Sequence, residues 1–185
     1  MVDMKHRNKN EENEIRIHTP YTGRSKTAYF GVFTALALIF SYIETLIPIH
    51  FGIPGAKLGL ANLLVVIFLY KRNVKEALML SVIRILLAGF LFGNLFSILY
   101  SMAGGMLSLA VMAVLKRAGR FSVTGVSVAG GVSHNLGQLL VAMAVLETYR
   151  TGYYFPFLVA AGVLTGFLIG VTAGEVLKRL EGFEI

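Results

Sequence analysis

The chain has 185 residues, of which 56% are hydrophobic and 15% are charged, with a mean hydropathy of +0.71. This composition is too apolar for an ordinary soluble domain, and it excludes an intrinsically disordered chain. The absence of cysteine excludes disulfide scaffolds, thiolate metal sites and cysteine nucleophiles. The composition therefore indicates a membrane protein.

The net charge of +7 comes from short basic clusters that lie between apolar segments. From Thr27 to Gly174 the acidic residues are Glu44, Glu76 and Glu147 alone. Cations confined to loops are typical of membrane topology and not of a nucleic-acid groove. We therefore expect the lipid bilayer, and no nucleic acid, as the surroundings of this chain.

Residues 1–26 are polar and of mixed charge, and we expect them to form a flexible cytoplasmic tail. Residues 27–180 are expected to form one domain of six transmembrane helices. In chain order, the spans are predicted at 27–47, 58–70, two helices within 74–115 that are separated by a turn at 90–94, 123–146 and 155–177. The second span has only about 13 residues, so it crosses obliquely or is a partly re-entrant helix shielded by its neighbours.

The basic clusters fall in alternate connections between these spans, and this alternation predicts the orientation of the chain. Lysine and arginine are frequent in the tail, in 71–75, in 116–120 and in 178–179, whereas the other connections hold only Lys57 and Arg150. The sequence therefore predicts an all-α, multi-pass protein of the cell membrane with both termini in the cytoplasm.

Small residues recur at helical spacing on two of the predicted helices. Gly162, Gly166, Gly170 and Gly174 follow one another every four residues along the last helix. Such a stripe allows another helix backbone to approach closely, and we interpret it as a packing surface. Ala28, Gly31 and Ala35 form a similar face on the first helix, which either packs within the protein or docks a partner subunit.

Arg84 lies near the middle of the third predicted span. A charge at this depth costs about 2.5 to 3.5 kcal/mol on insertion scales and is usually retained for a function. It requires an anion, and the candidates within the chain are Glu44 and Glu147. Arg84 therefore either forms a buried ion pair with one of these residues or binds an anionic ligand.

The fifth span carries the string SHNLGQ, in which His134 and Gln138 are four residues apart and share one helix face, with Asn135 beside them. These groups indicate an interior polar site or an interhelical hydrogen-bond network. Lys57 and Asn62 enter from the outer side at the start of the second helix. These five residues, together with Arg84, predict an outward-facing cavity that binds a phosphate or carboxylate.

The residues that catalysis or ATP hydrolysis would require are missing from the sequence. The single aspartate is Asp3, so the spans hold no aspartate-rich site for a metal and a diphosphate, and no Ser-His-Asp triad. No GxxxxGK[ST] string is present, so active uptake needs a separate ATPase. We expect neither an enzyme nor a bound metal or cofactor.

Four segments of the chain resemble a bacterial family that is called heptaprenyl diphosphate synthase component I and also the Gx transporter family. They are GAKLGLAN (55–62), SVIRILLAGFLFG (81–93), GGMLSLAVM (104–112) and GVSVAGGVSHNLGQLLVA (125–142). The resemblance implies a six-helix bundle similar to the substrate-binding S components of energy-coupling factor (ECF) transporters. It further implies a ligand in the outer half under a lid at 48–55, and a coupling subunit with two ATPases that docks at Gly31 and Ala35.

The sequence therefore predicts a membrane substrate-binding and transport subunit of ECF type. Its cargo would be a small anionic or vitamin-like molecule, with a flavin and a quinone or isoprenoid precursor as candidates. One alternative is a non-catalytic membrane accessory subunit of heptaprenyl diphosphate synthesis. Another is a structural adaptor without a ligand, in which Arg84 and the His134 cluster only hold helices together.

Overall fold

The computed structural model describes residues 23–46, 59–145, 147 and 149–182, and every regular element within these ranges is helical. This confirms the all-α prediction for the described part of the chain. The predicted lid and Lys57 lie outside the described residues. In chain order the elements are α1 (Gly23–Leu46), α2 (Leu60–Lys71), α3 (Val74–Phe92), α4 (Leu95–Ala118), α5 (Val123–Val145), a 3₁₀ helix (Tyr149–Tyr154) and α6 (Phe155–Arg179).

Asparagine caps define the boundaries around α3 and α4. The side chain of Asn73 accepts a hydrogen bond from the Glu76 amide at 2.9 Å and begins α3. Asn94 accepts from the Ser97 amide at 2.9 Å and begins α4. Capping by a side-chain oxygen satisfies backbone donors that the first helical turn leaves free. The long apolar segment is therefore divided into two helices at the predicted turn.

Four of the helices are long and apolar enough to cross a bilayer, namely those at Thr27–Leu46, Leu95–Ala118, Val123–Val145 and Gly152–Arg179. This identifies a multi-pass membrane protein. The α2 helix has only 12 residues, about 18 Å of length against a hydrocarbon core of about 30 Å. The α3 helix has 19 residues but carries three charged side chains. The six-span topology therefore remains a prediction.

The α2 helix is enclosed by protein. Its residues from Leu64 to Leu69 are all buried, and the helix packs against α3 and α6. A helix that is apolar on every side is stable in this position because each of its faces has an apolar neighbour. The short second helix is thus shielded from lipid along most of its length.

The chain divides into two compact units, with the boundary between Val32 and Phe33 inside α1. Ala28 and Gly31 lie in the first unit and are exposed. In the second unit, the Phe33 ring packs edge-on against Phe68 of α2, with centroids 4.9 Å apart.

Further along α1, Tyr42 lies 5.0 Å from the ring of Phe92 in α3. Ala37 is completely buried, whereas Ala35 is exposed on another face of the helix. The part of α1 in the second unit therefore contributes one buried face to the bundle.

The α5 and α6 helices meet through glycines that permit backbone contact. A Cβ atom at Gly131 would lie 2.4 Å from the carbonyl oxygen of Gly162. Cβ atoms at Gly166 and Gly170 would lie 2.7 and 2.6 Å from backbone atoms of α5. The packing interpretation of the glycine stripe is thus confirmed for three of its members, while a Cβ at Gly174 would meet nothing within 4 Å.

The opposite side of α5 has the same kind of contact with α4. A Cβ at Gly104 would lie 2.7 Å from the His134 carbonyl oxygen. A Cβ at Gly137 would lie 2.8 Å from the carbonyl oxygen of Ala103. Both α4 and α6 therefore contact the backbone of α5. These contacts fix the position of the backbone that carries the SHNLGQ side chains.

Lysine side chains bring three of the basic clusters to one end of the second unit. The Lys116 ammonium donates to the carbonyl of Leu69, and the Lys71 ammonium donates to the carbonyl of Leu180. Cations at helix C-termini also interact favourably with the helix dipole. The α2–α3 turn and the C-terminal ends of α4 and α6 therefore lie together, as the predicted topology requires.

We predict that Gly131→Ala lowers the thermal unfolding temperature of the purified protein, because its Cβ atom has no room beside the Gly162 carbonyl. Overpacking of this kind costs about 1 to 3 kcal/mol. Gly174→Ala is the matched control, since it adds the same methyl group in open space. An equal loss of stability in both variants would contradict the close approach of α5 to α6.

Candidate functional site

Arg84 is the buried charge around which the candidate site is built. It lies midway along α3 and is only 8% exposed. Its Nη2 group donates to Oδ1 of Asn62 in α2, at 2.5 Å. Its Nε–H is also buried and has no hydrogen-bond acceptor within the described part of the chain. One donor of the guanidinium thus has no assigned protein acceptor.

Glu44 of α1 is the carboxylate whose negative charge stabilises the positive charge of Arg84. Its Oε1 atom also accepts the backbone amide of Leu60, the first residue of α2, at 2.6 Å. Of the two anions that the sequence offers, Glu44 is therefore the one placed at this site. Glu147 is exposed just beyond α5 and has a left-handed backbone with φ of 48°.

A cavity of about 50 Å³ opens beside Arg84. A cavity needs about 10 to 15 Å³ on this measure for each water molecule, so the space suits one carboxylate or phosphate group and not a whole vitamin. Its wall is apolar along α3, where Ile85, Ala88 and Phe92 line it. Its polar lining comes from Ser41, Glu44, Thr45, Asn62, Arg84, Ser97, Ser101, His134 and Gln138.

A second cavity of about 30 Å³ lies on the α5–α6 side of Asn62. His134 and Gln138 line both cavities, whereas Asn135 lines only this one. The Nδ2 group of Asn135 donates to the Leu158 carbonyl of α6 at 2.7 Å. Asn135 thus belongs to an interhelical hydrogen bond, the alternative that the sequence left open for this cluster.

The structure brings most of the predicted site residues together. Asn62, Arg84, His134 and Gln138 line one cavity, Asn135 lines the neighbouring one, and Lys57 lies outside the described residues.

The sequence did not identify Ser41, Thr45, Ser97 and Ser101 as lining residues. It indicated Glu44 only as a partner for Arg84. Ser97 and Ser101 are one helical turn apart on α4, and Ser41 is one turn from the fully buried Ala37 on α1. This spacing was the signal available in the sequence.

The side chains at the cavity are suited to binding by charge and hydrogen bonds. Arginine, asparagine and glutamine supply N–H donors, and the three serines both donate and accept. Within the ranges that the structure describes, no group of three or more His, Cys, Asp or Glu side chains could hold a metal ion. The arrangement therefore favours recognition of an anion by fixed dipoles and charge.

A family model described as heptaprenyl diphosphate synthase component I matches residues 33–176. The match runs from the second part of α1 into α6 and includes every described residue of both cavities. It confirms the resemblance that the four sequence segments indicated. No curated protein gives a significant match. No solved structure does either.

We predict that Asn62→Leu and Arg84→Met have strongly coupled effects on stability. Asn62→Leu leaves a buried guanidinium donor without its amide acceptor, at a cost of about 1 to 3 kcal/mol, and replacing both partners removes that penalty. The coupling is measured in a double-mutant cycle of thermal unfolding in lipid nanodiscs. Asn135→Leu with Arg84→Met is the control cycle, because Asn135 bonds Leu158. Equal coupling in both cycles would contradict the assigned Arg84–Asn62 bond.

Proposed function

The chain belongs to the heptaprenyl diphosphate synthase component I family, and we propose that it is a membrane-embedded binding subunit that holds the anionic group of a small molecule at Arg84. The description of the family and the apolar helices support a membrane accessory subunit. The observation that carries the proposal is the buried Arg84 guanidinium, with its unassigned Nε–H donor beside a polar cavity.

The charges around the cavity sum to about half a positive charge, which favours a further anionic group. Arg84 contributes a full positive charge, and the N-terminus of α2 contributes roughly half of one. Glu44 is the carboxylate near both of these positive groups. Since the surroundings are apolar, an unneutralised positive charge is unfavourable. An anionic ligand oxygen at the cavity would accept from Arg84 and complete this neutralisation.

The remaining polar groups would fix the orientation of the ligand. Gln138 and the serines of α1 and α4 line the same cavity as Arg84 and supply hydrogen bonds to phosphate or carboxylate oxygens. The cavity admits only the charged group, so the rest of a larger ligand would lie outside it. The apolar α3 wall at Ala88 and Phe92 suits a ligand whose charged group adjoins an apolar part.

We propose that the subunit delivers this ligand as a substrate-binding component of ECF type. In this interpretation Ala28, Gly31 and Ala35 contact a membrane coupling subunit, and two ATPases drive the transport. The exposure of all three small residues supports such a contact. Both termini would be cytoplasmic, and the cavity would open toward the outer side of the cell membrane.

The description of the family favours a second candidate function. Here the chain is a non-catalytic membrane component of heptaprenyl diphosphate synthesis, and a separate subunit performs the chemistry. The terminal phosphate of a prenyl diphosphate would then occupy the Arg84 cavity. An anionic group joined to an apolar chain matches the polar and apolar walls of that cavity.

We predict that an anionic molecule co-purifies with the protein from native membranes and is lost in Arg84→Met. The substitution removes the cation while keeping an apolar side chain of similar length, and thermal unfolding of the purified variant checks that it remains folded. Denatured extracts of both proteins are compared by mass spectrometry and visible absorption. Lys178→Met is the control, because it removes an exposed charge at the C-terminal end of α6. Equal recovery from wild type and Arg84→Met would place the binding site elsewhere.

The two candidate functions differ in the partners they require. Affinity purification from native membranes is expected to recover ATPases and a membrane coupling subunit with the wild type, and to lose them in Ala35→Trp. Val163→Trp is the control, since Val163 is an exposed apolar position on α6. Recovery of a soluble prenyltransferase in place of the ATPases would favour the accessory subunit.

A further inference from the structure

A basic cavity lies between the α2–α3 turn and the C-terminal end of α4, apart from the Arg84 site. Its volume is about 510 Å³, and Arg72, Lys75, Lys116 and Arg117 line it together with Val74 and Ala113. None of its described lining residues is a carboxylate. The cavity is therefore large enough for a phosphate with its substituents, and its charge is strongly positive.

Two of the four cations are held in place by protein contacts. Arg72 Nε donates to Glu76 Oε2 at 2.6 Å. The Lys116 ammonium donates to the Leu69 carbonyl and lies 5.2 Å from the centroid of the Tyr70 ring. The Lys116 contacts fix a positive charge before any ligand arrives, which lowers the entropy lost on binding. Glu76 holds Arg72 in place but also compensates its charge, so the net charge of the cavity comes mainly from Lys75, Lys116 and Arg117.

The other two cations, Lys75 and Arg117, are exposed. Lys75 lies in the first turn of α3, where a cation is unfavourable for the helix dipole. Helix stability therefore does not explain a lysine at this position. The positive N-terminal end of α3 adds to the attraction that the cavity exerts on an anion.

Each exposed cation stands at the end of an apolar stripe on its own helix. On α3, Met79 and Leu86 share the face of Lys75 and are 55% and 37% exposed. On α4, Val114 and Met106 share the face of Arg117 and are 66% and 47% exposed. A cationic cavity continued by two apolar helix faces is complementary to a phosphate headgroup with acyl chains.

We propose that this basic cavity binds the phosphate of an anionic phospholipid, whose acyl chains lie along the exposed stripes of α3 and α4. The general enrichment of lysine and arginine in cytoplasmic loops is an alternative explanation for these residues. That enrichment does not require the cations to line a concave site or their side chains to be held in place. The site is independent of the Arg84 cavity, so it stands whether or not the proposed function holds.

The test is native mass spectrometry of the full chain released from detergent, titrated with phosphatidylglycerol or phosphatidylcholine. We expect the wild type to retain phosphatidylglycerol in preference to phosphatidylcholine. The double variant Lys75→Gln/Arg117→Gln is expected to bind phosphatidylglycerol about 10- to 30-fold more weakly, on the basis of the attraction of each cation to anionic lipid.

Lys178→Gln/Arg179→Gln is the matched control, because it removes two exposed cations from the C-terminal end of α6. It is expected to keep the wild-type preference. An equal loss of lipid in both double variants would show a general charge effect and overturn the proposal, as would unchanged binding in Lys75→Gln/Arg117→Gln. Displacement of the lipid by inorganic phosphate at equal concentration would identify a free phosphate site and also overturn it.

Thermal unfolding in phosphatidylcholine nanodiscs checks that the variants remain folded. The single variants Lys75→Gln and Arg117→Gln provide a second route if the double variant unfolds. Each is expected to lose part of the preference for phosphatidylglycerol. Wild-type preference in both single variants would overturn the proposal.

Discussion

The backbone contacts of α5 with α4 and α6 are the constraint on which the interior depends. Both contacts are formed by glycines, which have no side chain to separate the helices. Gly131 of α5 therefore contacts Gly162 of α6, and Gly104 of α4 contacts the backbone of His134 in α5. In lipid, helix association relies on close packing and polar contacts, because apolar side chains gain little by exchanging lipid tails for one another. The positions of His134 and Gln138 in both cavities follow from this arrangement.

A buried charge organises the other half of the bundle. Arg84 joins α3 to α2 through Asn62, and Glu44 joins α1 to the start of α2 through the Leu60 amide. A charge in apolar surroundings is tolerated only when donors and acceptors are supplied. The same arrangement that makes Arg84 compatible with the fold leaves its Nε–H without an acceptor in the described part of the chain. Stability and the proposed recognition thus depend on the same residues.

The cationic end of the helices has a different physical character. There, charges lie at helix termini and around a much larger cavity, and Lys116 and Lys71 satisfy carbonyls at the ends of α2 and α6. Charges at such an end keep contact with water and lipid headgroups, so they need less compensation than Arg84. The protein therefore has two separate anion-attracting regions, one enclosed and one open.

Apolar length and charge placement determined the helices, the turn after Phe92 and an arginine within a span directly from the sequence, because these depend on neighbours in the chain. Helical spacing also placed His134 and Gln138 on one face. Only the tertiary structure decided that Glu44, and not Glu147, lies near Arg84. It also decided that Asn135 donates a hydrogen bond to α6 and that Ser41, Ser97 and Ser101 line the cavity. These outcomes depend on which faces of distant helices meet. The periodicity of the glycines predicts a packing surface on a helix, but it does not encode which other helix packs against that surface or in what register.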